Sequence, residues 1–260
     1  MVLLSFDVEE FDVPREKGVP FTLEQGIAVS AEGTRRILDI LAAHSVRATF
    51  FCTANFASAQ PQLIRRMVSE GHEVASHGCD HFCPRTTDPA VSKKIIEAIS
   101  GGECAGYREP RMSPVDNTLL ETCGYKYNSS LNPTLIPGRY CHLGAPRTPH
   151  WKGAVLQLPT SVTPLLRIPL FWLALHHFPE QVYHALALRV LRSAGCFITY
   201  FHPWEFYDLN AHPELKIPFV IRRNSGEPLC RRLGRLIRLL KGDGEEFLTF
   251  SDFVKLQEAL

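Results

Sequence analysis

The feature that most constrains this 260-residue chain is an alternation running from end to end, in which short apolar stretches are separated by helical ones. Val2 to Phe6 opens the series and stops abruptly in acids, the pattern of a buried strand whose C-terminal end opens into a site. Residues 31–44 carry Ile37, Leu38, Ile40 and Leu41 at helical spacing, with Ser30 placed to cap them. Residues 47–53 return as a strand, and 61–70 form a helix stopped by Gly71, before a third strand at 72–76. Helices near 89–99 and 117–123 and strands near 103–107, 125–128 and 155–158 continue the pattern. A helix at 179–193, a very apolar strand at 196–201, a basic helix at 229–240 and a last strand at 247–250 complete it. Strands separated by helices pair in parallel through right-handed crossovers, which predicts an α/β fold, either a (β/α) barrel or an open doubly wound sheet. No repeat, low-complexity tract or linker interrupts the series, so one domain over residues 1–260 is expected.

Composition removes several classes. The 28 Lys+Arg against 27 Asp+Glu leave a net charge of +1, which gives no electrostatic reason to expect nucleic acid as a partner. No apolar run approaches the roughly 18 residues of a spanning helix. The start lacks a basic segment and cleavage site. Eight cysteines are too sparse at this length for a disulfide scaffold. A cytoplasmic protein with free thiols is the expectation. The 11 histidines call for an explanation.

In barrels and open α/β sheets, active sites lie at the C-terminal strand ends. The ionisable residues follow that rule: Asp7, Glu9 and Glu10 end strand one, His77 and His81 follow strand three, Arg108 the strand near Tyr107, and His202 the strand 196–201. His77 and His81 lie one turn apart and share a face if the segment is helical, a spacing that suits zinc. Asp7 and Glu9, two apart on a strand, point the same way, so one can bind a metal while the other serves as base. Bland readings stand beside these. Asp7 could cap a turn, Glu10 is expected in solvent, and Cys79 and Cys83 could belong to a structural Cys/His zinc site. His176 and His177 lie outside every motif and are expected to be structural or exposed.

Four segments occur in order: Phe6-Asp7-Val8-Glu9-Glu10, residues 71–81 (GHEVASHGCDH), residues 106–111 (GYREPR) and residues 200–205 (YFHPWE). Together they resemble the polysaccharide deacetylases that share the NodB homology domain (carbohydrate esterase family 4), closest to a branch with D-V-E and F-H-P-W-E motifs. The resemblance implies a distorted (β/α) barrel of about seven units and a metal-dependent hydrolase site. By it, Glu9, His77 and His81 look like the metal ligands, and Asp7 like the general base. Arg108 looks like the residue orienting the base carboxylate, and His202 like the general acid that protonates the leaving amine. The implied cofactor is a divalent metal, zinc first, with cobalt or nickel as alternatives. A backbone N–H after Pro110 is implied as a donor to the developing oxyanion. Trp204, Tyr107 and Met112 are the expected substrate contacts.

The chain departs from the common family pattern at three places. The usual adjacent aspartates are replaced by Asp7-Val8-Glu9, a Tyr of the third motif by Met112, and an Asp that could pair with the acid histidine by Asn128. The pairing role then falls to Glu205 or Asp208. The expected activity is removal of N-acetyl groups from an acetamido-sugar in a polysaccharide or its precursor, of the surface-glycan, O-antigen or capsule type. One alternative is an allantoinase-like C–N amidase on a small non-sugar substrate. Another is a metal-free carbohydrate-binding barrel. The basic face of helix 229–240 offers a membrane-surface contact that would place the protein at the periphery of the inner membrane, or else is an ordinary solvated face. Trp151, Phe171, Trp172, Trp204 and Tyr207 include candidates for sugar stacking or for packing.

Overall fold

The computed structural model describes residues 1–259. Along the chain run β1 (Val2–Val8), α1 (Val13–Glu16), α2 (Leu23–His44), β2 (Thr49–Cys52), α3 (Ala54–Ala59), α4 (Pro61–Ser69) and β3 (Glu73–Ser76). Next come α5 (Asp88–Ser100), β4 (Gly106–Tyr107), α6 (Asn117–Thr122) and β5 (Tyr127–Asn128). A small hairpin follows, β6 (Leu135–Ile136) with β7 (Tyr140–Cys141), then β8 (His150–Lys152) and β9 (Val155–Gln157). The chain ends in α7 (Trp172–His177), α8 (Glu180–Ala194), β10 (Phe197–Phe201), α9 (Phe219–Arg222), α10 (Glu227–Gly242) and α11 (Phe250–Glu258).

The main sheet has the order β10-β1-β2-β3-β4-β5-β9-β8. Its first seven strands are parallel, and β8 joins antiparallel to β9. The sheet curls into the distorted α/β barrel that the sequence led us to expect. Among the described residues, the outer side of β10 meets no further regular strand. Ser161 borders it instead, its N–H donating to the Ile198 carbonyl at 2.8 Å while its hydroxyl accepts from Ile198 N–H at 2.9 Å.

The period-2 pleat of β1 decides what lies inside. Val2, Leu4, Phe6 and Val8 pack outward among the helices, where Phe6 stacks on Phe50 at 5.1 Å between ring centroids. Leu3 joins the interior cluster with Phe51, Ala75, Tyr127, Leu156 and Ile198. Ser5 and Asp7 continue the Leu3 face upward. Phe250, Phe253 and Val254 of α11 close the barrel from below. Burying each such phenylalanine stabilises the fold by about 1.5–3 kcal/mol.

Two local expectations change. Ser30 does not cap a helix. The helix begins a full two turns earlier at Leu23, capped by Thr22, whose hydroxyl accepts from Gln25 N–H while the Gln25 side chain accepts from Thr22 N–H. The reciprocal cap and the added apolar residues Ile27 and Val29 outweigh the isolated serine signal. The strand expected at 247–250 reduces to one bridge between Val2 and Phe247, because Thr249 caps α11 and turns Phe250 into its first residue.

One close approach fixes the upper rim of the barrel beside β10. Gly33 of α2 lies against the backbone of Pro203; a Cβ there would sit 1.7 Å from the Pro203 carbonyl oxygen. Only glycine lets helix and turn meet at that distance.

Candidate metal-dependent active site

Three donor atoms converge above the barrel. Glu9, just past β1, aims Oε2 at the Nε2 atoms of His77 (3.3 Å) and His81 (2.9 Å), and the three lie within 4.8 Å of one another. His77 and His81 follow β3 on a loop rather than a helix. Helix α3 holds that loop by donating the Ala54 and Asn55 N–H groups to the Gly78 and Cys79 carbonyls. The loop curls enough to bring both imidazoles to one side, 5.7 Å apart and nearly parallel.

The surroundings prepare these atoms as ligands. His77 Nδ1 donates to the Arg108 carbonyl (2.8 Å) and His81 Nδ1 to Asp12 Oδ2 (2.9 Å), so each Nε2 would present a lone pair to a cation bound in place of a proton. Glu9 Oε1 accepts from the Trp204 indole at 3.0 Å, while its Oε2 and His77 Nε2 are buried without a hydrogen-bond partner. Orphaned buried atoms of this kind are what a bound cation would satisfy, and a Glu/His/His set suits a borderline divalent ion with an open position. Burial alone would raise Glu9, but His81, His202 and His77 outweigh it and hold its carboxyl well below the ordinary range. In His81 burial favours the neutral ring, yet Glu9 and Asp12 push it up to about 10 in the metal-free protein.

Asp7 lies beside this triad on the inward face of β1. Arg108 Nη1 donates to Asp7 Oδ1 at 2.5 Å and to the Ser5 hydroxyl at 3.0 Å. Its other nitrogens reach the Ser129 carbonyl and hydroxyl, and its guanidinium lies 4.0 Å above the Phe51 ring. With Arg108 fully buried and every arm engaged, the Asp7 carboxylate is fixed in place.

His202 stands across the cavity at the end of β10. Its Nδ1 and its backbone N–H both donate to Glu205 Oε1, at 2.8 and 2.6 Å. Burial disfavours the imidazolium, but Glu9, Glu205 and Asp7 together raise it above the ordinary histidine value. Glu205 thus takes the pairing role. Asp208 caps a turn and Asn128 binds Gln157 and Ser130, so neither reaches His202.

Asp7, Glu9, His77, His81, Met112, His202 and Trp204 all line one cavity. Other expectations are corrected. Tyr107 is fully buried and donates its hydroxyl to Glu109 at 2.7 Å, so it cannot meet substrate. Trp204 offers no open face for a sugar, being stacked with His202 (4.8 Å) and Phe11 (5.2 Å). Glu10 is buried, accepting from the Thr53 hydroxyl and the His81 N–H, and burial raises its carboxyl. It anchors the ligand loop instead of meeting solvent. Cys79 approaches the Asp88 carbonyl and lies outside the triad. The basic face of α10 is partly engaged: Arg231 pairs with Glu227, Arg235 with Glu180, and Arg232 binds the Leu175 and Phe178 carbonyls.

Sequence reasoning missed Asp12 and placed Glu205 only as one of two options. A signal for Glu205 existed in its position three residues after His202 across a proline, the spacing of a capping box.

A family model described as polysaccharide deacetylase matches residues 12–127. Over that segment, a little under half of its length, the chain is similar to the polysaccharide deacetylases. Among its relatives is the chitooligosaccharide deacetylase of Sinorhizobium fredii, 56% identical over 69 residues, which cover 25% of this chain and 31% of that one. The chain spans less than half the length of the first curated relatives it matches. Among solved structures, a Mycobacterium smegmatis protein classed as a polysaccharide deacetylase shares the fold at a TM-score of 0.67 and 18% identity, covering 99% of this chain and 90% of that one. Puue allantoinase shares it at 0.64 and 15% identity, over 99% and 90%. Polysaccharide deacetylases are generally metal-dependent, and the Glu9–His77–His81 triad of this chain could hold a metal ion.

Proposed function

We propose that this protein is a polysaccharide deacetylase, a zinc-dependent hydrolase that removes N-acetyl groups from an acetamido-sugar in a glycan or glycan precursor. The observation that carries the reading is the convergence of three elements on one cavity: the Glu9–His77–His81 donor set, the Arg108-held Asp7 and the Glu205-held His202. Glu9, His77 and His81 would hold the metal, which when bound supplies Lewis-acid polarisation and an activated water.

The protein's own groups account for the proton traffic. Asp7 is oriented to accept a proton from the attacking water, its other charge interactions being fixed by Arg108. His202, held with Nδ1 toward Glu205, presents Nε2 to the substrate and donates a proton to the departing nitrogen, which is otherwise a very poor leaving group. Met112 N–H already donates to the Glu109 carbonyl at 3.0 Å, so we assign the oxyanion's backbone donor to Arg111, the preceding residue. Met112 supplies an apolar wall beside Phe171 and Tyr200 that suits an acetyl methyl.

Eight free thiols favour action in the reducing cytoplasm on a precursor, with α10 available for contact with the inner membrane surface. Acetate release from a panel of acetamido-sugars, with ureides alongside, tests the reading. Release from sugars alone is expected; turnover of ureides alone would replace it with an allantoinase-like amidase, for which the shared fold gives precedent.

A further inference from the structure

We propose that His176 is a positioning residue for the acid, the third member of a buried His202–Glu205–His176 unit that holds the Glu205 carboxyl group and shares with it the proton that neutralises it. This rests on the assignment of His202 as general acid. His176, on α7, and Glu205 are both fully buried. His176 Nδ1 lies 2.5 Å from the Arg223 carbonyl oxygen, and its Nε2 lies 2.8 Å from Glu205 Oε2.

Donor and acceptor counting then fixes how many protons the two contacts need. A carbonyl oxygen has only lone pairs to offer, so Nδ1 must be the donor there. The second contact also needs a proton, because an imidazole lone pair facing a carboxylate lone pair at 2.8 Å would be repulsive. Meanwhile Glu205 Oε1 is already served by the backbone N–H and Nδ1 of His202. One proton therefore lies on His176 Nδ1 and one between Nε2 and Glu205 Oε2. The His176–Glu205 pair behind His202 is thus neutral as a whole and not a bare anion.

Two consequences follow for the acid. Both carboxylate oxygens are anchored, so Glu205 cannot rotate and the His202 ring keeps Nε2 toward the cavity. His202 also meets less negative charge from behind than an unpaired glutamate would supply, so it releases its proton more readily to an amine.

The other charged and titratable groups packed around the unit are few. Asp7 and Glu9 face His202 from β1. Tyr183 of α8 is committed to Leu170 and Thr199, and Arg232 of α10 to the Leu175 and Phe178 carbonyls. Arg36 of α2 reaches the Phe206 carbonyl, and His177 the Val220 carbonyl. The His176 backbone carbonyl accepts from Asn224, which ties the unit to the segment after α9.

The test is His176→Gln, whose amide still donates to Glu205 but carries no charge. In the metal-loaded variant the basic limb of kcat/KM should move upward by about one pH unit, since a bare carboxylate would then face His202. The kcat should fall with KM unchanged. Nitrogen-15 NMR of the histidine-labelled wild-type protein gives a readout independent of turnover and of the variant's folding. One buried ring, absent from the spectrum of the variant, should show Nδ1 protonated and Nε2 sharing a proton with a carboxyl group. A kcat loss with an unmoved basic limb, or a His176 Nε2 that shares no proton with Glu205, would overturn the proposal. If no acetamido-sugar is turned over, the functional reading fails while the NMR result still decides this one.

Discussion

Gly33→Ala offers a purely steric way to displace the acid side of the site. A Cβ on residue 33 would lie 1.7 Å from the Pro203 carbonyl oxygen, 2.5 Å from its carbonyl carbon and 3.2 Å from its Cα. All three are backbone atoms, so no side chain can rotate away, and the turn Pro203–Phe206 must retreat from α2 by more than an ångström. That turn carries Trp204 and Glu205 and follows directly on His202. Overpacking of this kind costs about 1–3 kcal/mol, within reach of the roughly 5–15 kcal/mol that a domain commands, so the variant should fold. A misplacement of about 1 Å at a reacting group costs about a hundredfold in rate. The expected result is therefore a lowered Tm, one metal per chain at saturating metal, and deacetylation reduced about a hundredfold. Gly234→Ala is the control. Its Cβ would meet the His44 imidazole at 3.1 Å, the far end of a side chain that can move, so activity should stay near wild type. Wild-type turnover in Gly33→Ala, with both variants folded, would refute the view that this contact positions the acid.

Other tests address the remaining parts. Asp7→Asn should lower turnover by about 10²–10⁴-fold while leaving metal stoichiometry intact; full activity would remove Asp7 as base. Arg108→Met strands a buried carboxylate and should cost about 3–5 kcal/mol in urea unfolding, part of which a second change, Asp7→Asn, restores. Chelation should abolish activity and zinc restore it, and His77→Ala should lose the metal by direct metal analysis. In the metal-free protein His81 is raised from 6.5 to about 10, so its contribution to stability is complete below pH 6.5 and fades as pH climbs toward 10. Unfolding free energies across that range should decline in the metal-free protein more than in the loaded one. His202 is also raised, so deacetylation should persist above the ordinary histidine value and fall as pH rises further.

Much of this architecture was legible because β/α alternation and strand-end acids are local signals. The β1 pleat alone places Asp7 inward with Leu3, and the His77–His81 spacing survives even though a loop, not a helix, realises it. What escaped was set by contacts distant in sequence. Glu10 reads as solvent-facing until the loop after β3 folds over it, and Trp204 reads as a sugar platform until Phe11 and His202 occupy its faces. His176 and Glu205 stand 29 residues apart and meet only when α7 packs beside β10. No periodicity encodes such a meeting. Tyr107 failed differently, because adjacency to Arg108 in sequence means opposite sides of a strand.

The irregular border of β10 divides the site by rigidity. The proposed metal ligands and base hang from β1 and β3, each flanked by hydrogen-bonded strands on both sides. The acid hangs from a strand with one such neighbour and a serine-anchored coil on the other. Breathing of that border would change the spacing between acid and metal while the coordination sphere stays whole. On warming, such a protein should lose turnover before it loses its ion, with amide exchange in β10 outrunning that in β1 and β2.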